Sequence, residues 1–319
     1  MKSEKSTSKI IHCLGGALVD ILIHPVRDYP RPKENTSVFV DSMSFSPGGG
    51  ATNSAVTLAQ MDCPVRLFSK IGDDHHGDYL TKKLQQAGVD VSALVRIEEQ
   101  ETSTVIVGVH DDGDRSFISY HGVLGTFSLE EVDRELLLTS SFLLYPDLFN
   151  LPGIDGESVY ELLRESQSRG VTTIVDITWG ISGLQKELME AALRYVDYFL
   201  PSADELRLMY PQLNNEEIVE YLLAKGAKTV VLKLGSEGVL VANSQRSFHV
   251  PAVRTQDEVV DTTGAGDNFN AGFVYGLSLG KSLDEAVALG SEVAGVSIAR
   301  IGAWTDKKEL KNVLKQFGL

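Results

Sequence analysis

Asp261-Thr-Thr-Gly-Ala-Gly-Asp267-Asn-Phe-Asn-Ala-Gly272, near the end of the sequence, is the stretch that says most about the fold. Gly264, Ala265 and Gly266 are small enough for backbone N–H groups to approach an anion closely. The apolar residues that follow recur at helical spacing, so the glycines open a helix. The first N–H groups of a helix lack partners, and the helix dipole favours negative charge there.

Asp267 lies on the first turn of this predicted helix, where a phosphoryl group and an alcohol can meet. A carboxylate beside an anion cradle suits one chemistry, in which it removes a hydroxyl proton while the developing phosphate charge is stabilised. The alternative is a tight turn in which Asp267 is an ordinary acid at a helix start. This stretch alone leaves the two interpretations about equal.

The composition bounds the function. The chain has 319 residues and is 43% hydrophobic, enough for one large α/β domain with an insertion or for two smaller domains. Lys and Arg total 29 against 44 for Asp and Glu, so the net charge is −15. Such a surface disfavours nonspecific binding to nucleic acid or to an anionic membrane. It does not exclude a nucleotide, because helix ends and bound cations reverse the local field.

The cysteines and the apolar runs indicate the compartment. Cys13 and Cys63 are too few for a disulfide framework or a cysteine metal site, and we expect buried thiols in a reducing compartment. The apolar run 10–14 is too short for a signal peptide and is typical of a first strand. No run approaches the roughly 18 apolar residues of a membrane span. We therefore expect a soluble, cytoplasmic protein.

Helical and strand patterns alternate along most of the chain, with glycines after several helices. Ser128 and Glu131 form a predicted capping box. Repeated βα units predict a mostly parallel sheet covered by helices on both faces. Predicted strands are 65–69, 141–145, 171–176, 198–200, 229–234 and 239–242, and predicted helices are 54–60, 79–86, 158–168, 188–194, 216–223 and 282–299.

Four stretches break this rhythm, because they alternate apolar and polar residues or form a hairpin pattern. They are 17–23, 38–45, 104–110 and 115–120. Together they predict a small β-sheet that projects from the main domain. A half-apolar sheet needs a partner surface, so we interpret it as a lid, a dimer interface, or both.

Two glycine-rich segments in the first half are candidate substrate sites. Pro47-Gly-Gly-Gly50-Ala-Thr-Asn53 precedes a helix, and three glycines make sense where a ligand touches the backbone. Asn53 places an amide on the first helical turn facing a polyol, although a flexible connection is the alternative. Gly15-Gly-Ala-Leu-Val-Asp20 ends on an acceptor for two sugar hydroxyls, but a surface-facing acid is equally compatible.

Two segments in the second half are candidate nucleotide sites. In Leu200-Pro-Ser202-Ala-Asp-Glu205 the acid can orient waters around magnesium, but a simple capping box from Ser202 to Glu205 explains the spacing slightly better. Lys233-Leu-Gly235-Ser-Glu-Gly238 joins two strands and suits either an adenine or phosphate shelf or an ordinary hairpin. The sequence lacks a P-loop motif, and Phe269 stands where a dinucleotide fingerprint requires its third glycine.

Taken together and in this order, the segments resemble the PfkB-type, ribokinase-like family of small-molecule kinases over nearly the full chain. Asp261 to Gly272 is similar to the family's C-terminal signature, and Ser46 to Asn53 to its N-terminal signature. The resemblance implies one three-layer α/β/α domain over 1–319, a mostly parallel sheet, and lid strands at about 15–25, 36–46 and 102–121. It also implies a homodimer formed through the lid.

The resemblance further implies a role for each site residue. Asp267 is the implied base, and the amides of Ala265 to Asp267, which Gly264 introduces, are the implied anion hole. ATP with Mg²⁺ is the implied phosphoryl donor, and K⁺ an implied ion beside the anion hole. The implied substrate contacts are Asp20, Gly49, Gly50 and Asn53. The implied nucleotide contacts are Ser202, Glu205, Lys233, Gly235 and Gly238. The implied monovalent-cation ligands are Asp261 and Thr263 and, by a looser match, Arg300 and Gly302.

Two departures from the family pattern qualify this transfer. Ser202-Ala-Asp-Glu205 stands where the family has Asn-x-x-Glu, and Asp176-Ile-Thr-Trp179-Gly stands where several sugar-acid and fructose kinases have Asp-x-Asn-x-Arg. Without that arginine, the chain lacks the favoured contact to the carboxylate of a sugar acid. Trp179 offers an aromatic ring on which a ligand can stack instead.

The resulting hypothesis is an ATP-dependent kinase that phosphorylates a primary hydroxyl of a free sugar, or else of a nucleoside. The alternatives are a catalytically silent sugar or nucleoside sensor on the same scaffold and, more distantly, a nicotinamide dehydrogenase.

Overall fold

A computed structural model describes residues 10–29, 37–111, 115–178, 185–253 and 259–319. Within these ranges the chain forms thirteen strands and ten α-helices. The strands are β1 (Ile11–Leu14), β2 (Leu18–His24), β3 (Ser42–Gly48), β4 (Val65–Gly72), β5 (Leu94–Ile97), β6 (Thr104–Val109), β7 (Arg115–Tyr120), β8 (Phe142–Leu148), β9 (Thr172–Ile177), β10 (Tyr198–Phe199), β11 (Thr229–Lys233), β12 (Val239–Asn243) and β13 (Ser247–Val250). The helices are α1 (Gly50–Gln60), α2 (His75–Ala87), α3 (Arg134–Leu137), α4 (Glu157–Ser168), α5 (Lys186–Ala192), α6 (Ala203–Met209), α7 (Asn215–Ala224), α8 (Ala265–Ser278), α9 (Leu283–Ser297) and α10 (Lys307–Gln316).

Nine of the strands form the central sheet, in the order β13-β12-β11-β10-β9-β8-β1-β4-β5. All neighbours from β11 to β5 pair in parallel, whereas β12 and β13 are antiparallel additions at one edge. Every residue of β8 is buried, as expected for a central strand covered on both faces. The carboxyl ends of β1, β8, β9 and β11 therefore meet at one edge, where parallel sheets bind ligands.

Helices cover both faces of this sheet. One hydrophobic core joins it to α1, α2, α8, α9 and α10, and a second core joins its other face to α3 through α7. Helices α8 and α9 pack closely at Gly272. A Cβ atom there would lie only 2.9 Å from the Gly290 Cα atom, so the contact requires glycine. The predicted three-layer α/β/α arrangement is confirmed.

The other four strands form the predicted small second sheet, in the order β3-β2-β6-β7. We call it the lid, although its role as a lid stays a prediction. Strand β2 pairs in parallel with β6, and both edge pairs are antiparallel. Strand β3 begins at Ser42 and not near residue 38, and it continues through Pro47. Proline is tolerated there because β3 is an edge strand and has no second ladder to supply. Residue 36, where the lid strand at about 36–46 was predicted to begin, lies outside the described ranges.

The helix boundaries follow their caps. Helix α2 starts at His75, earlier than predicted, because Asp74 accepts a hydrogen bond from the Gly77 amide at 2.7 Å. It ends at Gly88, whose φ of 94° is a left-handed cap. Within the described ranges no helix combines the length and the apolar character needed to cross a membrane.

The periodicity missed five elements, β5, β13, α3, α6 and α10. The two strands have four residues each, which is too short for a clear alternation. Helix α6 has seven residues, and its start was visible only as the Ser202 capping box.

Candidate active site

Asp267 lies at the start of α8, and its side chain points toward α1. Its Oδ2 accepts a hydrogen bond from Asn53 Nδ2 at 2.9 Å, and its backbone carbonyl accepts one from Ser54 Oγ at 3.1 Å. Asn53 and Ser54 are buried residues of α1. The structure thus brings two predicted site residues, Asp267 and Asn53, together across 214 positions of sequence.

The helix start leaves backbone amides facing this site. Gly264 adopts a left-handed φ of 70°, and a Cβ atom there would lie 2.5 Å from that of Ala303, so the turn requires glycine. The Ala265 amide donates to Thr262 O at 3.2 Å, which engages one of the three amides predicted for the anion hole. Within the described residues no protein carbonyl accepts from the amides of Gly266 and Asp267.

Asn268 braces the turn from behind. Its Nδ2 donates to Gly264 O and Ala303 O, each at 2.8 Å, while its Oδ1 accepts from Thr57 Oγ1 at 2.8 Å. Two of these bonds are buried and the one to Gly264 O is partly buried, so together they fix the amides before any ligand arrives. Preorganised donors of this kind are most effective in stabilising a developing anion.

The triple glycine approaches the same point from the other side. Gly49 is the N-cap of α1 with a φ of 101°, and Gly50 is the first helical residue. A Cβ atom on Gly50 would lie 3.3 Å from Asp267 Oδ1 and 2.7 Å from an oxygen of Asp147. The glycine therefore keeps a space open between two carboxylates.

Asp147, near the end of β8, holds the two glycine loops together. Its Oδ2 accepts from the amides of Gly16 at 2.8 Å and Ala51 at 3.0 Å, and its Oδ1 accepts from Gly50 at 3.2 Å. Burial raises the pKa of Asp147 to about 6, although these three bonds favour its ionised form.

Asp267 has a strongly shifted pKa, which rises to about 7. Burial is the largest cause, the bond from Asn53 opposes it, and the charges of Asp147 and Asp176 add to it. Lys233 acts in the opposite direction. A carboxylate that titrates near neutrality and lies beside unengaged amides can accept a proton during a reaction.

Asp20 lies on the lid strand β2, and its carboxylate contacts Gly48 on β3. Burial raises its pKa to about 7, and the charge of Arg115 partly opposes that shift. Its role as a hydroxyl acceptor stays a prediction.

Lys233, at the end of β11, forms an ion pair with Asp176 at the end of β9. Asp176 also accepts from Asn270 Nδ2 at 2.7 Å and from the Ile177 amide at 2.9 Å. Burial raises the pKa of Asp176, and the Lys233 charge and these bonds oppose it. Trp179, the predicted stacking residue, lies outside the described residues.

Ser202 and Glu205 form the capping box of α6, so the simpler of the two interpretations of that motif is confirmed. Glu205 is nevertheless part of the site's electrostatics. Burial raises its pKa, the charge of Asp176 raises it further, and Lys233 lowers it. Nucleotide contact by Ser202 and Glu205 stays a prediction.

Gly235 and Gly238 flank the turn that joins β11 and β12 into an antiparallel hairpin. A side chain on Gly235, with φ 58°, would meet nothing within 4 Å, whereas one on Gly238, with φ 99°, would collide with the backbone of β13 and the residues after it. The turn is therefore open at Gly235 only.

Asp261 is buried just before α8, and an arginine from the lid neutralises it. Arg115, on β7, forms an ion pair with its carboxylate, which also accepts from the amides of Thr263 at 2.6 Å and Gly302 at 2.8 Å. Burial alone would raise the pKa of Asp261, but the bonds from Gly302, Thr263 and Arg115 hold it below its usual value.

These contacts bear on the predicted monovalent cation. Both oxygens of Asp261 already accept hydrogen bonds, and a guanidinium provides the counter-charge. As arranged, Asp261 does not fit as a ligand of K⁺, and no chemical step below involves that ion. In the described ranges, no cluster of three or more His, Cys, Asp or Glu side chains is arranged to hold a metal.

Comparison with known proteins settles the family. The model of the pfkB family of carbohydrate kinases matches residues 13–310. The chain belongs to this family. It is 27% identical over 305 residues to a ribokinase of Staphylococcus aureus, a match that covers 93% of this chain and 95% of the relative.

Solved structures agree with this pfkB-family assignment. The ribokinase of Thermotoga maritima superposes with a TM-score of 0.81 at 27% identity, over 96% of this chain and 99% of that one. A ribokinase of Arabidopsis thaliana, solved with ribose and ATP, gives the same TM-score of 0.81 at 23% identity, over 97% of this chain and 99% of that one, which is a likeness of fold.

Membership of the pfkB family confirms two expectations, the ribokinase-like fold and a phosphotransferase whose acceptor is an alcohol. It does not favour the silent sensor or the nicotinamide dehydrogenase. The match spans both glycine segments and the α8 start, which carried the resemblance.

Three site residues of this pfkB-family chain escaped the sequence reasoning. Asp147 had a visible signal, since it is an acid near the end of a buried, mostly apolar strand. Asn270 lay inside the quoted signature but looked like an ordinary helical residue. Arg115 had no local signal, because its partner Asp261 is 146 positions away.

Arg115→Met is expected to loosen the lid, because it leaves Asp261 buried without its counter-ion. We expect a lower midpoint of urea unfolding and a rise in the acceptor KM of about tenfold, since one 1.4 kcal/mol interaction corresponds to that factor. The measurements are chemical denaturation and steady-state kinetics. Arg27→Met, at an exposed lid pair with Asp111, is the control and should change neither value. An Arg115 variant with wild-type stability and KM would exclude this role.

Proposed function

We propose that this chain phosphorylates a primary hydroxyl of a free sugar with ATP, and that Asp267 is the general base. The observation that supports this most directly is the position of the Asp267 carboxylate at the start of α8, next to the unengaged amides of Gly266 and Asp267. One oxygen is held by Asn53, which leaves Oδ1 directed at the space beside Gly50.

The proposed step is a direct transfer. The acceptor hydroxyl oxygen forms a bond to the γ-phosphorus of ATP, and the bond from that phosphorus to the β–γ bridging oxygen breaks to release ADP. The hydroxyl proton passes to Asp267 Oδ1. The amides of Gly266 and Asp267 stabilise the charge on the transferred group, at about 3 kcal/mol for each well-placed donor.

The sugar is proposed to lie between the lid and the glycine loops. Asp20 supplies a carboxylate from β2, and Gly49 and Gly50 allow the sugar to touch the backbone of α1. Asn53 Oδ1 is buried without a hydrogen-bond partner in the described structure, so it is available as an acceptor for a hydroxyl. A free sugar offers several hydroxyls to these groups.

ATP is proposed to approach from the side of β11, where the turn is open at Gly235. Glu205 is the candidate residue that would hold magnesium, which takes one or two carboxylates and several waters and would neutralise phosphate charge. Ser202, Lys233 and Gly238 complete the proposed nucleotide side.

An acceptor screen tests this function. Coupled ADP release would be measured with ribose, fructose, 2-keto-3-deoxygluconate, adenosine, inosine and pseudouridine, each against a reaction without acceptor. We expect ribose or fructose to raise the rate at least about 100-fold, a lower bound for proton transfer to a positioned base. If only nucleosides were phosphorylated, the acceptor would be a nucleoside and not a free sugar. Binding without turnover of every ligand would contradict the kinase function.

The pH dependence follows from Asp267. Its side chain must be ionised to accept a proton, so kcat/KM for the acceptor should fall tenfold per pH unit below about pH 7. The charges of Asp147 and Asp176 disfavour the ionised form of this group, whereas the hydrogen bond from Asn53 and the charge of Lys233 favour it. The profile would be recorded at saturating ATP, with the ATP KM determined at each pH as control. A flat profile down to pH 5 would exclude a base of this pKa.

A homodimer through the lid is also proposed. The small sheet has large apolar side chains that are between 51% and 62% exposed, namely Met43, Phe45, Phe117, Ile118 and Tyr120. Exposed apolar side chains of this size are typical of interaction surfaces, and β3 and β7 are sheet edges that need protection. Sedimentation velocity should show a dimer that Phe117→Asp converts to a monomer.

The cytoplasmic location stays a prediction, with which the two buried cysteine thiols are compatible.

A further inference from the structure

The Lys233 side chain brings an ammonium group to the start of α8. A Cβ atom on Gly266 would lie 3.2 Å from Lys233 Nζ, so the ammonium is next to the first turn of that helix. Lys233 is the last residue of β11 and is mostly buried, with 14% of its side chain exposed. The strand therefore delivers a positive charge to the same point as the two unengaged amides.

A fixed counter-ion holds this ammonium. Asp176, whose side chain is 7% exposed, pairs with Lys233 and is itself held by Asn270 Nδ2 at 2.7 Å. Asn270 belongs to α8, so the ion pair is tied to the helix that carries Asp267. A burial this deep is costly for an ion pair that serves stability alone.

Acidic side chains outnumber basic ones around Lys233 and Asp267. The charges of Asp147 and Asp176 act on Asp267, and the charge of Asp176 also acts on Glu205. A triphosphate that entered here would meet several carboxylates. Positive charge is therefore needed where the γ-phosphoryl group must lie.

We infer that Lys233 is a catalytic cation for phosphoryl transfer, which pairs with Asp176 in the free protein and donates hydrogen bonds to the γ-phosphoryl oxygens when ATP is bound. This inference rests on the proposed kinase function. As the acceptor oxygen bonds to phosphorus and ADP leaves, the proton passes to Asp267; Lys233 keeps its own protons and stabilises the non-bridging oxygens. Asp176 and Asn270 are positioning residues, since they determine where the ammonium waits.

Kinetics of Lys233→Met test the inference. We expect kcat to fall about 10²- to 10³-fold, the usual effect of removing one transition-state donor, while the acceptor KM changes less than about threefold. Lys233→Arg retains the charge and should recover at least about tenfold of the lost rate. Lys228→Met, an exposed lysine just before the same strand, is the control and should match the wild type. A Lys233→Met variant with wild-type kcat would overturn the inference.

A double variant separates catalysis from folding. Lys233→Met alone leaves Asp176 as an unpaired buried acid, and therefore lowers stability. Adding Asp176→Asn removes that acid and should restore the urea midpoint without restoring kcat. If activity returns together with stability, the ion pair is only structural, and the inference is wrong.

Nucleotide affinity provides a readout that does not require turnover. A lysine on the γ-phosphoryl group should make the wild type bind a non-hydrolysable ATP analogue at least about tenfold more tightly than ADP, and Lys233→Met should lose that preference, as measured by calorimetry. If no acceptor supports turnover but the preference exists and depends on Lys233, the proposed function fails and the contact at Lys233 stands. An unchanged preference in the variant would overturn the contact.

Discussion

Asp267→Asn is expected to lower kcat by about 10³-fold, because asparagine keeps the shape of the side chain but cannot accept a proton. The fold and ATP binding should persist, since the amide oxygen can still accept the bond from Asn53. Burial raises the pKa of Asp267 to about 7, so its ionisation in the folded state costs stability as the pH rises from about 4 to about 7. The neutral variant should therefore be at least as stable as the wild type at pH 8.

The measurements for this variant are the rate of ADP release, calorimetric ATP binding and the urea midpoint. Asp284→Asn is a matched control, because Asp284 lies in the first turn of α9 as Asp267 lies in the first turn of α8, but it is exposed. The control should retain the wild-type rate. If Asp267→Asn also retained it, Asp267 would have no role in proton transfer.

Asp147→Ala is expected to have the second largest effect, on both stability and acceptor binding. It leaves the buried amides of Gly16, Gly50 and Ala51 without their acceptor, at about 1–3 kcal/mol for each unsatisfied group. The loss of the ionised carboxylate from a buried position offsets part of this cost. We expect a net destabilisation of about 3 kcal/mol and a rise of about 100-fold in the acceptor KM, because the two glycine loops separate.

Asp155→Ala provides the comparison that isolates the site effect. Asp155 is a half-buried carboxylate whose pKa also rises to about 6, and it accepts from the amides of Phe149 and Leu151. Its loss should destabilise the protein to a similar degree but leave the acceptor KM unchanged. If both variants raise KM equally, the effect of Asp147 reflects general loosening and not the glycine loops. Urea denaturation and steady-state kinetics provide both values.

Much of the fold was visible in the sequence, because its signals are local. The parallel strands are continuous apolar runs, and the helices between them have caps such as Asp74 and Gly88 that fix their ends. The start of α8 was predicted from Gly264, Ala265 and Gly266 together with the helical spacing of the apolar residues that follow them. Short elements without periodicity, such as β5 and β13, were not visible.

The sequence indicated individual site residues but not the contacts between them, because those contacts join segments that are distant in the sequence. Asp267 and Asn53 were proposed from their own helix starts, and the fold brought them together. The bridging role of Asp147 depends on the parallel register of β1 and β8, which no local pattern reveals. Likewise, the pairing of Arg115 with Asp261 depends on how the lid folds over the helix start.

The prediction of a cation site at Asp261 shows the same limit. The family resemblance implied this site, but a lid arginine far away in the sequence already pairs with the carboxylate. No local pattern predicts this contact, because Arg115 and Asp261 are 146 positions apart.

The most direct test of Asp267 as the base is a structure of the protein with the accepted sugar and a non-hydrolysable ATP analogue. The acceptor hydroxyl should lie about 2.6–3.2 Å from Asp267 Oδ1, with the γ-phosphoryl oxygens on the amides of Gly266 and Asp267. A sugar hydroxyl that pointed away from Asp267, or a triphosphate that avoided the start of α8, would contradict the proposed reaction.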